Sequence, residues 1–345
     1  MATEVIDTDG HIFEKDEIIF EYLEPPFNGR KEILALPFFP TLDGFQRMAR
    51  RVGDARPYVI GLDDPKTWLE VLQREGIDRT VIYPTAGLAL GFVQDPEWAV
   101  VVSRAYNNMM YDRYINFNGR LGAIALLPIQ DIKEAAKELR RAVQELRMPG
   151  GVIAPVGFPK PLGDPYFDPL YEEAQALGVP LTIHGAPSRG LGFDFFRSLI
   201  EARTLSHPFA QMIHLTSIVL EGVLERFPRL KIASLEGGCE WIPFLMDRLD
   251  MEYHNRAHQA PLLKKNPSEY MKSGQIFYHA ELWERMLPYV IERVGADLIL
   301  YASDYPHEPD LAEAIREFEA REDLSDSAKR KILSDNGKRF YNMQN

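Results

Sequence analysis

Eight short runs rich in β-branched and aromatic residues alternate with helical stretches along this chain, and that alternation constrains the fold more than any other feature. The runs fall at residues 5–9, 80–83, 122–126, 151–154, 181–184, 231–235, 275–278 and 298–302. Helical patterns separate most of them, at 65–75, 96–116, 132–146, 168–178, 209–227, 240–254 and 282–294, and a pair at 311–321 and 325–341 closes the chain. Asp168-Pro169 has the form of a helix start and Leu177-Gly178 of a helix stop. Eight βα units without a sequence repeat fit an α/β chain folded as a (β/α)8 TIM barrel better than an open doubly wound sheet. The expected organisation is one barrel domain over residues 1–345 with long loop insertions after strands one and five, at 15–64 and 185–207. Both insertions leave the C-terminal ends of strands, where barrel active sites lie, so 15–64 suits a lid or an interface.

Composition narrows the function classes. A net charge of −12, from 39 basic against 51 acidic residues, argues against binding a nucleic-acid backbone. No apolar run approaches membrane-spanning length, and Met1-Ala2-Thr3-Glu4 leads into a strand rather than a signal peptide. The single cysteine, Cys239, allows no internal disulfide. These features lead us to expect a cytoplasmic enzyme of small molecules, with no nucleic-acid or membrane partner.

The histidines and acids at the strand ends carry the chemistry. Asp9 and His11 end the first run, His184 the fifth and Asp304 the eighth. Asp9 and His11 are two apart, so on an extended strand they face the same side and can share one ion. First and last strands of a barrel are neighbours, which brings these ends together at the mouth. Two carboxylates and two imidazoles suit a divalent zinc, manganese or iron ion. His279 and Glu281 end the seventh run and are candidates to line a substrate pocket, and Arg189 is placed to pair with a substrate carboxylate. His214 is a weaker candidate for the pocket, because Met212-Ile213-His214-Leu215 reads as an apolar helix face.

The wording of these segments resembles the amidohydrolase superfamily, in the amidohydrolase-related branch around aminocarboxymuconate-semialdehyde, dihydroxybenzoate and carboxyvanillate decarboxylases. The carriers are Asp7-Thr8-Asp9-Gly10-His11, Thr182-Ile183-His184-Gly185, Phe227-Pro228-Arg229-Leu230-Lys231 leading to Leu235-Glu236-Gly237-Gly238, and Ala302-Ser303-Asp304-Tyr305-Pro306-His307. The resemblance implies that Asp9, His11 and His184 are metal ligands and that Asp304 binds metal or relays a proton. It implies no carboxylated-lysine bridge, since Gly151-Val152-Ile153-Ala154-Pro155 contains no lysine. Decarboxylases of this branch carry a histidine at the end of strand six, where this chain has Glu236. With Glu14 and His307, Glu236 could build a second metal position, although Glu14 equally suits a helix start. Asp304, Glu236 and His307 are the catalytic candidates. Three readings follow: a metal-dependent hydrolase or non-oxidative carboxy-lyase of a small organic acid with one or two ions per chain; a dinuclear non-haem iron or iron/manganese oxygenase; and a non-catalytic subunit beside a related catalytic chain. Barrels of this branch associate, so a homo-oligomer or a hetero-oligomer with a related chain is expected.

Overall fold

A computed structural model describes residues 4–42, 64–186, 190, 192–308 and 310–343. Arg189 and residues 43–63 of the first insertion lie outside the described residues. Eight parallel strands follow one another in chain order: β1 (Ile6–His11), β2 (Arg79–Tyr83), β3 (Leu121–Ala123, resuming as Ala125–Leu126), β4 (Gly151–Ile153), β5 (Leu181–His184), β6 (Ile232–Leu235), β7 (Ile276–Ala280) and β8 (Ile299–Tyr301). Every pair from β1 to β8 is parallel, with Ile124 bridging the break in β3 by donating to Ile82 O at 3.1 Å. The ring closes between β1 and the end of β8, where Thr8 Oγ1 donates to Tyr301 O (2.7 Å), Asp304 N to Asp9 O (2.9 Å) and His11 N to Tyr305 O (2.7 Å). The strands are thus the eight that the sequence indicates, within a residue or two of the expected bounds.

Helices α1 (Pro65–Glu75), α2 (Pro96–Met110), α3 (Ile132–Gln144), α4 (Asp168–Leu177), α5 (Leu199–Leu220), α6 (Ile242–Arg256), α7 (Leu287–Val294) and α8 (Leu311–Ala320) complete the βα units. Their starts obey local chemistry. Asp64, Asp95 and Asp131 accept backbone N–H bonds at the N-caps of α1, α2 and α3, and Gly76 and Gly178 end α1 and α4 in left-handed geometry. The described part of the first insertion packs outside the barrel on α2, with Phe27 and Phe38 against Trp98 and Trp98 Nε1 donating to Phe38 O at 3.1 Å.

The helix expected at 282–294 begins only at Leu287, that at 325–341 is broken into shorter pieces, and the helix after β5 departs most from the sequence reading. It starts at Leu199 rather than Phe209 and carries Pro208 inside it. A proline without an N–H argues for a boundary at that point, yet Ser198 and Glu201 form a capping box, with Ser198 N donating to Glu201 Oε2 at 2.8 Å. The second half of the 185–207 insertion is therefore helix, not loop. Among the described residues no helix is long and apolar enough to cross a membrane.

Candidate metal centre and active-site cleft

β1 is not a regular strand. Its register against β2 shifts between Asp7 and Gly10, where Thr8 and Asp9 of β1 together oppose Val81 of β2. The bulge separates two acids that simple alternation would place on one face. Asp7 serves the barrel wall: it accepts from Thr80 Oγ1 (2.6 Å), Ser303 N (2.8 Å) and Ser303 Oγ (2.9 Å). Asp9 instead faces the mouth with His11.

There the cluster expected from the sequence is assembled. Asp9 Oδ1 lies 3.4 Å from His11 Nε2, Asp9 Oδ2 lies 3.3 Å from His184 Nε2, and the two Nε2 atoms are 3.3 Å apart. Asp304 Oδ1 is 3.6 Å from His11 Nε2. Asp9, His11 and His184 are fully buried. The Nδ1 of His11 meets only a carbonyl acceptor, Pro84 O at 2.9 Å; that of His184 faces Gly185 O at 2.6 Å and Glu236 Oε2 at 3.3 Å. Both Nδ1 atoms therefore carry a proton, and both Nε2 atoms point at the Asp9 carboxylate. Neither Asp9 oxygen has a hydrogen-bond partner among the described residues. A buried carboxylate faced by two imidazole nitrogens at these separations needs a positive charge between them, supplied by a proton or by a bound cation. Without an ion the same carboxylates favour a proton on the imidazole, which a bound cation would replace. Burial disfavours charge on His11, but the Asp9 and Asp304 carboxylates outweigh it and raise its pKa to about 10. Burial also opposes ionisation of Asp9, and His184 and His11 overcome it to hold the carboxyl well below its usual range. Asp9, His11 and His184, and separately His11, Asp304 and His307, bring donor atoms close enough to hold an ion.

The other expected residues are placed as follows. His307 Nδ1 donates to Asp304 Oδ1 (2.7 Å), and its Nε2 is 3.3 Å from Thr85 Oγ1, so it holds Asp304 from the side. Glu236 reaches the centre through His184 Nδ1. Burial opposes its ionisation, but His207, His184 and Arg203 depress its carboxyl well below the usual range. Glu236 and Asp304 both adopt left-handed backbone geometry, φ +50° and +49°, a conformation costly for side-chain-bearing residues and common where a site imposes it. His279, expected to line the pocket, is instead fully buried and not among the residues lining the cleft, and it accepts Glu236 N–H at Nδ1 (3.1 Å). Glu281 lines the cleft, and burial pushes its carboxyl up to about 7.

Two further expectations are redirected. Glu14 turns to the loop after β2, where its carboxylate accepts the backbone N–H groups of Thr85 (3.0 Å), Ala86 (3.0 Å) and Gly87 (2.9 Å). With its oxygens engaged there it stands apart from the ion-holding groups. His214 lies on α5, buried and not among the residues lining the cleft. Burial alone lowers its pKa to about 4. Between pH 6.5 and 4 the unfolded chain would bind a proton at this site that the native chain does not, so native stability falls as pH drops through that window. The His214→Leu variant is expected to lose this acid sensitivity, which amounts to about 3 kcal/mol by pH 4. Denaturant midpoints at pH 7 and pH 4.5 test it: equal pH dependence in the variant and the parent chain would refute the assignment.

Two residues at the centre escape the sequence reading, Arg203 and His207. They sit one turn apart on α5. Arg203 Nη2 reaches Asp304 Oδ2 (2.8 Å), Glu308 Oε1 (3.3 Å) and Glu236 Oε1 (3.5 Å), and His207 Nε2 lies 3.1 Å from Glu236 Oε1. The Ser198-x-x-Glu201 capping box was the available signal: a helix begun there puts both side chains on one face. Together with Phe209, Trp241 and Trp283 they border an open cleft of ≈ 980 Å³ whose floor includes Glu236.

A family model described as Amidohydrolase matches residues 6–343. The chain is 25% identical over 288 residues to 2-amino-3-carboxymuconate-6-semialdehyde decarboxylase of Dictyostelium discoideum, covering 81% of this chain and 77% of that protein. Its fold is similar to 5-carboxyvanillate decarboxylase of Sphingomonas paucimobilis (TM-score 0.80, 24% identity, 99% of this chain and 100% of the other). It is also similar to a dihydroxybenzoic acid decarboxylase of Polaromonas crystallised with manganese and 2-nitroresorcinol (TM-score 0.73, 20% identity, 99% and 98% covered).

Proposed function

From the premise that this chain belongs to the amidohydrolase family, we propose that it is a metal-dependent, non-oxidative carboxy-lyase of a small aromatic or similarly unsaturated acid. The observation that carries the reading is the buried Asp9 carboxylate, both oxygens without hydrogen-bond partners, faced by the Nε2 atoms of His11 and His184, with His184 joined through Glu236 to the cleft. Asp9, His11, His184 and Asp304 would hold one divalent ion, with manganese the first choice on the precedent of the Polaromonas enzyme. Once bound, the ion would polarise a substrate oxygen and orient the acid.

The remaining work falls to the chain. Phe209, Trp241 and Trp283 offer flat apolar surface to a planar ring. Decarboxylation needs a proton delivered to carbon as the carbon–carboxylate bond breaks, its electron pair staying on carbon and carbon dioxide departing. Glu236 and Asp304 are both held as anions, Asp304 because His307 and Arg203 outweigh burial and the charge of Glu236, so neither carries a proton to supply. His207 is the imidazole beside Glu236, and we assign it the proton that reaches carbon. It stands in, from α5, for the histidine that this branch carries at the end of strand six. The oxygenase reading lacks support: the relatives described above are decarboxylases, and Glu14, one of the three groups expected at a second ion, is engaged by three backbone N–H groups.

The test is carbon dioxide release by manganese-loaded protein from a dihydroxybenzoic acid and from 5-carboxyvanillate. Dialysis against a chelator is expected to lower the rate by about 10²-fold or more, and added manganese to restore it. A loaded protein that releases carbon dioxide from neither acid, or one indifferent to the chelator, overturns the reading.

A further inference from the structure

Acidic side chains crowd the cleft. Glu236 and Glu240 approach from the end of β6, Glu281 and Glu284 from the end of β7, and Glu308 from beyond β8. An anionic substrate entering such a site meets like charge unless something specific receives it. Among the described residues that line the cleft, Arg203 is the one permanent cation. Its own bonding is lopsided. Its hydrogen bonds to described residues all leave from Nη2, to Asp304 and Glu236, and the Glu308 contact uses the same nitrogen. Nη1 and Nε, the remaining edges of the guanidinium fork, make none. The side chain is one-third exposed, at 33%, on the wall of the cleft. A planar group with five donors, anchored through one nitrogen and open along its other edges, is built to take a second planar anion.

We propose that Arg203 grips the carboxylate of the bound acid through Nε and Nη1 while Nη2 stays on Asp304. This rests on the reading of the cleft as the site for a small organic acid, and it names the group that selects such acids. The grip also sets direction. A carboxylate held from α5 lies beside His207, one turn further along the same helix, so the carbon that must be protonated is presented to that imidazole. Burial helps as well: it pushes the Glu281 carboxyl up to about 7, which reduces the negative charge the incoming acid must face there.

The test compares two ligands that differ only in the carboxylate, 2,6-dihydroxybenzoate and resorcinol, binding to the manganese-loaded full chain in a calorimeter. The parent chain is expected to prefer the acid. In Arg203→Met that preference is expected to fall by about tenfold or more, with resorcinol affinity changed by less than about twofold. Arg203→Lys, which keeps the charge but not the fork, should fall between them. Equal weakening of both ligands in Arg203→Met would overturn the proposal, because it would mean that Arg203 only holds Asp304 and Glu236 in place. Full retention of the preference in Arg203→Lys would overturn it too, and this variant serves if the methionine variant does not fold. Binding needs no turnover. A chain that prefers the acid through Arg203 yet releases no carbon dioxide would leave the grip standing and remove the reaction; a parent chain without the preference removes the grip whatever the reaction.

Discussion

Asp304→Asn is expected to cut kcat by about 10³-fold while the protein stays folded. The substitution keeps the shape of the side chain and removes its charge. That charge is used in three directions: towards His11 Nε2 at 3.6 Å, His307 Nδ1 at 2.7 Å and Arg203 Nη2 at 2.8 Å. An amide can satisfy one of the two donors but cannot balance both, and it weakens the field that would hold an ion. The left-handed backbone at Asp304 tolerates asparagine better than most residues, so the loss should appear in turnover and metal content rather than in expression. Steady-state kinetics with elemental analysis of the same preparation would decide the matter. A variant within tenfold of the parent rate, fully loaded with metal, removes Asp304 from the reaction.

Gly10→Ala is expected to cost about 3 kcal/mol of stability and to empty the metal centre along with it. A Cβ at Gly10 would sit 2.6 Å from Thr80 Oγ1, 2.7 Å from Trp68 Cη2 and 3.0 Å from Asp7 Oδ2. None of these neighbours can yield cheaply. Trp68 is fully buried, and Thr80 donates to Asp7, which also receives Ser303 and so ties β1 to the end of β8. Relief of the clash must move the bulge itself, and Asp9 and His11 move with it. Denaturant unfolding with metal analysis of the folded fraction checks both halves. A native midpoint with normal metal content would show that the bulge has slack the packing does not suggest.

Much of this centre could be read from the chain before any fold was known. Periodicity is local, so the eight strand runs and the order of βα units were legible, and with them the strand ends that carry Asp9, His11, His184 and Asp304. Closure of a parallel barrel then brings the first and last strands together without further information. Glu14 was less legible. It lies three residues past His11, near enough to turn either to the ion-holding cluster or to the loop after β2, and only the three N–H groups of Thr85, Ala86 and Gly87 decide between them.

Arg203 and His207 depended on packing altogether. Two glycines at strand ends let α5 lie against the mouth: a Cβ at Gly185 would come within 3.3 Å of His207 Cα, and one at Gly237 within 3.3 Å of Gln211 Cγ. Gln211 then pins the helix there by donating to Ile183 O (3.0 Å) and Leu235 O (2.7 Å). The sequence by itself therefore determined the barrel and the residues at its strand ends, since both follow from short-range pattern and chain order. Tertiary structure alone decided that a helix would bring an arginine and a histidine onto Glu236 and Asp304, because that depends on how closely two backbones can approach, a distance no local pattern encodes.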